Sequence, residues 1–223
     1  GGWSFGERFV RESPVARLLK EPLEAPSAAI PRIGLLHADL DAAGGHYAPV
    51  RRAELENTGF EAWLLGHIHK PSLDSLSAAP ASRPIGYLGS LIALDPSETG
   101  PHGPWLVTVA KDGKLRLEQV PLAPLRWEHI DVSIDGLELA EDVPDRILDE
   151  AANYVRLLGE TDSAPRALGL RVRLTGASSQ YAEIRRLMAG SDWRSLRRVV
   201  DDTAVFVNKI FDAMELPLDL VRI

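Results

Sequence analysis

The stretch Phe60-Glu61-Ala62-Trp63-Leu64-Leu65-Gly66-His67-Ile68-His69-Lys70-Pro71 joins a buried-type strand to a pair of histidines. Phe60 to Leu65 is a short apolar run of the kind that fills the middle of a sheet. Gly66 follows as a residue that allows a sharp turn. A second run, Arg32-Ile33-Gly34-Leu35-Leu36, ends directly in His37. In α/β sheets, ligands gather at the carboxyl ends of strands, where loops converge. Two adjacent strands that each end in histidine would therefore bring His37, His67 and His69 into one crevice. Imidazole suits zinc, manganese or iron(II). Spacing alone leaves two readings open: a set of metal ligands, or hydrogen-bonded loop histidines.

Outward from this stretch, strand and helix signals alternate. Pro49 to Asn57 predicts a helix closed by Thr58-Gly59. Residues 71 to 84 form a loop rich in Ser, Ala and Pro, and Ile85 to Leu88 makes a third strand. Trp105 to Ala110 and Lys114 to Val120 flank Asp112-Gly113, a hairpin signal in which glycine supplies the positive φ. Pro121 and Pro124 mark a boundary, giving domains 1–124 and 125–223.

The second domain opens with a strand from Leu125 to Ile134, whose alternation (Trp127, Ile130, Val132, Ile134) slips once. From Val143, residues Ile147, Ala151, Val155 and Leu158 fall on one helical face, with Pro144 in the first turn and Gly159 placed at the C-cap. Leu168 to Leu174 alternates strictly. Tyr181, Ile184, Leu187 and Met188 define a short amphipathic helix, and Thr203 to Val207 a last strand. This half reads as a small α+β domain, with no internal repeat and no heptads.

Composition narrows the function classes. With 45% hydrophobic and 26% charged residues in 223, the chain is globular in type. No apolar run approaches the roughly 18 residues of a membrane span, and no basic start leads into an apolar stretch. No membrane association is expected, and a cytoplasmic address follows by default. Gly1-Gly2-Trp3 without a methionine reads as a processing or cloning boundary, so a longer natural sequence is expected. The absence of cysteine excludes disulfides, a catalytic thiol and thiolate metal sites.

The net charge of −7 has the wrong sign for a chain that coats nucleic acid. Residues 126–223 hold 13 basic and 18 acidic side chains, so any DNA affinity must be local. Arg185, Arg186, Arg194, Arg197 and Arg198, set against Asp192 alone, are either a solvated helix face and loop or a phosphate-contacting patch. His102 and His129 carry no pattern and read as surface or packing residues. The tryptophans are scattered, so no base-stacking stripe is apparent.

Gly34-Leu35-Leu36-His37 and Gly66-His67-Ile68-His69 resemble the fourth and fifth signature segments of calcineurin-like metallophosphoesterases. His46-Tyr47-Ala48-Pro49, Leu64 to Pro71, and Tyr87-Leu88-Gly89-Ser90 followed by Asp95 to Gly100 are similar to SbcD-type and YhaO-type DNA repair exonucleases. Trp3-Ser4-Phe5 resembles a stretch that precedes the fourth segment. The likeness is good from Trp3 to Ile134 and loose beyond. It implies the C-terminal half of a metallophosphoesterase β-sandwich flanked by helices, followed by an α+β capping domain that meets DNA. It also implies that His37 and His67 hold one ion and His69 another. The chemistry implied is phosphodiester hydrolysis by two divalent ions about 3.5–4 Å apart, which clamp the phosphoryl oxygens and activate water. Manganese is the ion implied. His46 and Ser90 are candidates for the substrate phosphate, although His46 could equally pack on Tyr47 and Ser90 could simply close a strand-ending turn.

The family's other segments, Asp-x-His, Gly-Asp-x-x-Asp and Gly-Asn-His, should precede His37, and these 223 residues contain none of them. The bridging carboxylate and the family's catalytic histidine are thus absent, and no catalytic residue is assigned here. Asp39 and Asp41 lie near His37 but not at a ligand position. Without a bridging carboxylate to offset cation repulsion, at most one weakly held ion is expected. The leading reading is a fragment of a manganese-dependent DNA exonuclease, inactive as written. The first alternative is a non-catalytic module that binds DNA or a protein, with a vestigial metal site. The second is a mononuclear zinc hydrolase on His37, His67 and His69. DNA, an SMC-like ATPase and a second copy of the chain are the partners considered.

Overall fold

The computed structural model describes residues 13–20, 30–42, 47–73, 83–160 and 164–216. The chain divides into two compact units, residues 1–91 with 102–120, and residues 92–101 with 121–223. Its architecture is mixed α/β, with several sheets and few helices.

The first unit contains α1 (Ala16–Lys20), β1 (Ile33–His37), α2 (Arg52–Asn57), β2 (Ala62–Gly66), β3 (Ile85–Tyr87), β4 (Trp105–Val109) and β5 (Leu115–Gln119). Strands β1, β2 and β3 lie side by side in that order, all parallel. β2 is central and buried on both faces, which is why Ala62 to Leu65 is an unbroken apolar run rather than an alternating one. Trp63 and Leu65 pack with Val15, Val50, Leu55 and Phe60. Ala62 and Leu64 face the other way, onto Leu73 and Leu117, with Trp105 and Val107 of the hairpin alongside. The β4–β5 hairpin forms around Gly113, which has φ +81° as the Asp-Gly signal requires. Helix α2 begins at Arg52 and not at Pro49. Residues 49 and 50 are diverted because Val50 N–H donates to Asp39 O (2.9 Å) and Val50 O accepts from Asp41 N–H (2.8 Å).

Trp63 fixes the depth of this core. Its ring stacks on Phe60 at 4.9 Å, and its Nε1 donates to Leu55 O (3.2 Å) and Thr58 Oγ1 (3.0 Å). The ring also lies across Gly34 in the neighbouring strand, where an added Cβ would come within 2.2 Å of it.

The second unit contains β6 (Leu125–Ser133), α3 (Val143–Gly159), β7 (Ala167–Ala177), α4 (Tyr181–Gly190), β8 (Arg197–Val200) and β9 (Thr203–Glu215). The sheet order is β6-β7-β9-β8, with β6, β7 and β9 parallel and β8 antiparallel at the edge. Ile130, Val132 and Ile134 of β6, Leu168, Leu170, Val172 and Leu174 of β7, and Val205 and Val207 of β9 face one core. Ile147, Ala151, Val155 and Leu158 of α3 and Ile184 of α4 cover it. The slip in the β6 alternation has a cause. Trp127 points to the opposite face, where its ring lies over Gly169 and meets Phe206 edge-on at 5.4 Å.

Strand β9 runs well beyond Val207 because a bulge interrupts it. Leu170 pairs with Val207 but Arg171 pairs with Lys209, so Asn208 is extra and the alternation that marks a strand changes phase there. Gly159 closes α3 from inside the helix, and the C-cap is Glu160. No helix among the described residues is long and apolar enough to cross a membrane.

Two substitutions test this packing. Gly34→Ala should destabilise the chain by about 1–3 kcal/mol, since a Trp63 ring anchored by two hydrogen bonds cannot withdraw freely. Ile147→Ala, at a fully buried position in the second core, should cost about 2–5 kcal/mol. Denaturant unfolding checks both, and a Gly34→Ala chain as stable as the parent would mean that the ring over Gly34 is not a constraint.

Candidate metal centre

The parallel register sets His37 opposite Gly66. A side chain at Gly66 would begin 3.0 Å from His37 Nδ1, so glycine there leaves space for the imidazole. The turn expected at Gly66 falls one residue later, since it is His67 that has positive φ, at +106°. A non-glycine residue held in that region costs about 1–3 kcal/mol and persists where its surroundings over-determine it.

Those surroundings are specific. His67 Nε2 lies 2.8 Å from Asp39 Oδ1, with both side chains largely buried. The His37 ring meets the His67 ring at 5.3 Å and 72°, and Tyr47 lies against His67 at 5.0 Å. Asp39 is tied to the same loop: its N–H donates to Tyr47 O (2.9 Å), and its Oδ2 accepts from Tyr47 N–H (3.3 Å). Tyr87 on β3 secures the loop from beneath, its hydroxyl accepting from Leu40 N–H (2.7 Å) and donating to Ala38 O (3.1 Å). Asp41 instead accepts from Arg52 N–H (2.8 Å) at the start of α2.

The segment carrying His69 is closed by the β3 turn. Gly89 has φ +77°, and Ser90 N–H donates to His69 O at 2.9 Å. Ser90 Oγ lies 3.2 Å from His102 Nδ1, and His102 is buried at 1% exposure. His102 is thus a packing residue at the base of this turn, and Ser90 takes part in shaping it.

Of the histidines read from the sequence, His37 and His67 are brought together by their rings, while His69 follows two residues on. His46 and Trp3 to Phe5 lie outside the described residues. Two imidazoles sharing one divalent ion, with nitrogens about 2.1 Å from it, place their rings at a separation of this order. The His37–His67 pair fits such an ion in donor chemistry and spacing. No group of three or more His, Cys, Asp or Glu that could hold a metal forms among the described residues. The residues that sequence reasoning undervalued are Asp39 and Tyr47, which hold His67 in place. Their signal was position, on the loop directly after His37.

The five arginines are distributed differently from a continuous patch. Arg185 and Arg186 on α4 pair with Asp212 (3.2 Å) and Glu183 (2.7 Å). Arg198 on β8 pairs with Asp149 of α3 at 2.8 Å. Arg194 and Arg197 line an open cleft of about 550 Å³ with Arg198, Val199, Ala204, Val205 and Phe206. On the neighbouring strands Arg173 Nε donates to Asp131 at 2.8 Å, and that hydrogen bond holds the Asp131 carboxyl below its ordinary value.

Residues 127–214 match the family model described as the middle domain of the metallophosphoesterase YhaO. The chain is also 33% identical over 135 residues to the uncharacterized metallophosphoesterase YhaO of Bacillus subtilis (strain 168), a match covering 60% of this chain and 31% of that protein. The matched region thus spans about a third of the relative's length. Both likenesses are to metallophosphoesterases, and the mixed α/β architecture of the chain is compatible with a fold of that type.

Proposed function

We propose that this chain carries the histidine-bearing part of a divalent-metal phosphodiesterase that cleaves DNA in repair, with residues 125–223 as its cap. The observation that carries the reading is the meeting of His37 and His67 at the carboxyl ends of two parallel strands. The similarity to metallophosphoesterases supports phosphoester hydrolysis as the reaction class. In this reading His37 and His67 bind one ion and His69 serves a second, with manganese as the resident metal. Bound divalent ions supply positive charge to the phosphoryl oxygens and lower the pKa of water. The chain's own part is to present neutral imidazoles on a rigid sheet edge. Ser90 holds the His69 loop, and Tyr87 holds the loop after His37. The remaining donors, a bridging carboxylate above all, belong to residues outside these 223. A non-catalytic module that binds DNA or a partner protein, with a vestigial metal site, is the second reading, favoured by the open cleft that Arg194 and Arg197 line.

Metal binding separates the two. Equilibrium dialysis with Mn2+ should find at most one weakly bound ion on the chain, lost in His37→Ala and in His67→Ala. Hydrolysis of DNA or of a simple phosphodiester should stay at background. Mn2+ binding unchanged in both variants would remove the metal reading, and EDTA-sensitive turnover lost in His67→Ala would show that these residues already complete the site.

The cap has its own test. Arg194 and Arg197 are the arginines of the cluster whose side chains meet no carboxylate among the described residues, and the DNA contact is assigned to them. Each phosphate contact contributes a slope near −0.9 to the dependence of log K on log salt. Arg194→Gln with Arg197→Gln should weaken DNA binding and flatten that slope by about one to two units, while Arg198, paired to α3, is left in place. Affinity and slope that stay unchanged would reduce the cleft to a solvated edge.

A further inference from the structure

We propose that Asp39 is a positioning residue for His67: its carboxylate fixes the imidazole with Nε2 protonated and turned toward Asp39, leaving Nδ1 as the ring's lone-pair nitrogen. The inference rests on the metal reading of His37 and His67 above and adds to it the atom through which His67 would bind. An ionised carboxylate only accepts hydrogen bonds, so the nitrogen 2.8 Å from Asp39 Oδ1 must carry the proton. A neutral imidazole has one donor and one acceptor nitrogen. Once Nε2 is committed as donor, Nδ1 alone retains a lone pair to offer a cation.

Three further observations make Asp39 a device rather than a chance neighbour. Its own freedom is removed at both ends of the residue: its N–H donates to Tyr47 O, its carbonyl accepts from Val50 N–H at 2.9 Å, and its second carboxylate oxygen accepts from Tyr47 N–H. The flanking residues Ala38 and Leu40 are pinned through their backbone to the Tyr87 hydroxyl. Finally, His67 has a backbone that an L-residue rarely adopts, so its ring direction is imposed by contacts instead of local preference. Tyr47 and His37 bound the ring by shape, and Asp39 is the polar group that selects which nitrogen faces where. Carboxylates placed behind a ligating histidine serve this purpose in metal sites, and their loss typically costs about 10–100-fold in metal affinity.

The test uses the full 223-residue chain labelled with 15N-histidine, with His67→Ala identifying the His67 signals. Two-bond 1H–15N NMR of the metal-free protein should show His67 as the Nε2–H tautomer. Asp39→Ala should move its ring nitrogens away from that pattern, and Asp39→Asn, whose amide oxygen still accepts, should move them less. Zn2+ alone, diamagnetic and titrated calorimetrically, should bind about 10–100-fold more weakly to Asp39→Ala, with Asp39→Asn between. Should the alanine variant fail to fold, the asparagine variant carries the comparison. Unchanged His67 ring signals in whichever variant folds would overturn the proposal. If the parent chain binds Zn2+ no better than His37→Ala does, the metal reading fails by itself, and the ring signals alone decide the role of Asp39.

Discussion

The register between β1 and β2 governs the rest of the candidate centre. Because Ile33 pairs with Ala62, the strand ends coincide, and His37 comes level with Gly66. A one-residue slip would place a Cβ where the His37 ring now sits, and would carry every side chain of a doubly buried strand to the wrong face. The register is in turn fixed by Trp63, whose ring fits only across a glycine, and Gly34 is that glycine. Core packing thus sets the position of a polar site several residues away, at the point where both strands run out.

What the register delivers is position, and what the loop after His37 delivers is orientation. His67 has an unfavourable backbone, and the contacts of Asp39, Tyr47 and His37 outweigh that cost. These contacts come from a loop that is itself anchored two strands away by the Tyr87 hydroxyl. The arrangement therefore spans β1, β2 and β3. Such preorganisation matters for a cation site, since imidazoles free to rotate would lose the entropy of ordering on each binding event.

Much of this was legible in the residues. The run at Ala62 to Leu65 is apolar throughout, as a central parallel strand is, whereas the similar run at Ile33 to Leu36 forms the edge of the described sheet with Leu35 exposed; the histidines after both mark the carboxyl edge. The Asp112-Gly113 hairpin and the α3 face were equally plain. Four features were not. The positive φ belongs to His67 and not to Gly66, because the glycine's missing Cβ is taken up by a tertiary contact with His37. Strand β8 is four residues long, Arg197 to Val200, too short for alternation to register. Strand β9 changes phase at Asn208, and a periodicity argument stops at such a bulge. The tie between Asp39 and His67 joins residues 28 apart in sequence and depends on a loop conformation that no local pattern encodes.

The charge of the second unit follows the same logic of what each side chain is already doing. Counted along the chain, five arginines within fourteen positions look like a basic patch. Seen in the fold, Arg198 ties the edge strand β8 to Asp149 on α3, Arg185 ties α4 to Asp212 on β9, and Arg186 closes a turn of its own helix onto Glu183. An arginine engaged by a carboxylate presents a smaller net field to a phosphate, and exposed pairs such as these act through that charge cancellation more than through stability. Arg194 and Arg197 differ because they flank an open cleft beside Phe206 and the exposed Val199 on the same edge. In a unit whose overall charge is negative, an anion can be held only where cations are concentrated and carboxylates are turned away. Among the described residues Arg194, on the turn before β8, and Arg197, on β8 itself, come nearest to that condition, whereas Arg185 and Arg186 on α4 are each paired with a carboxylate.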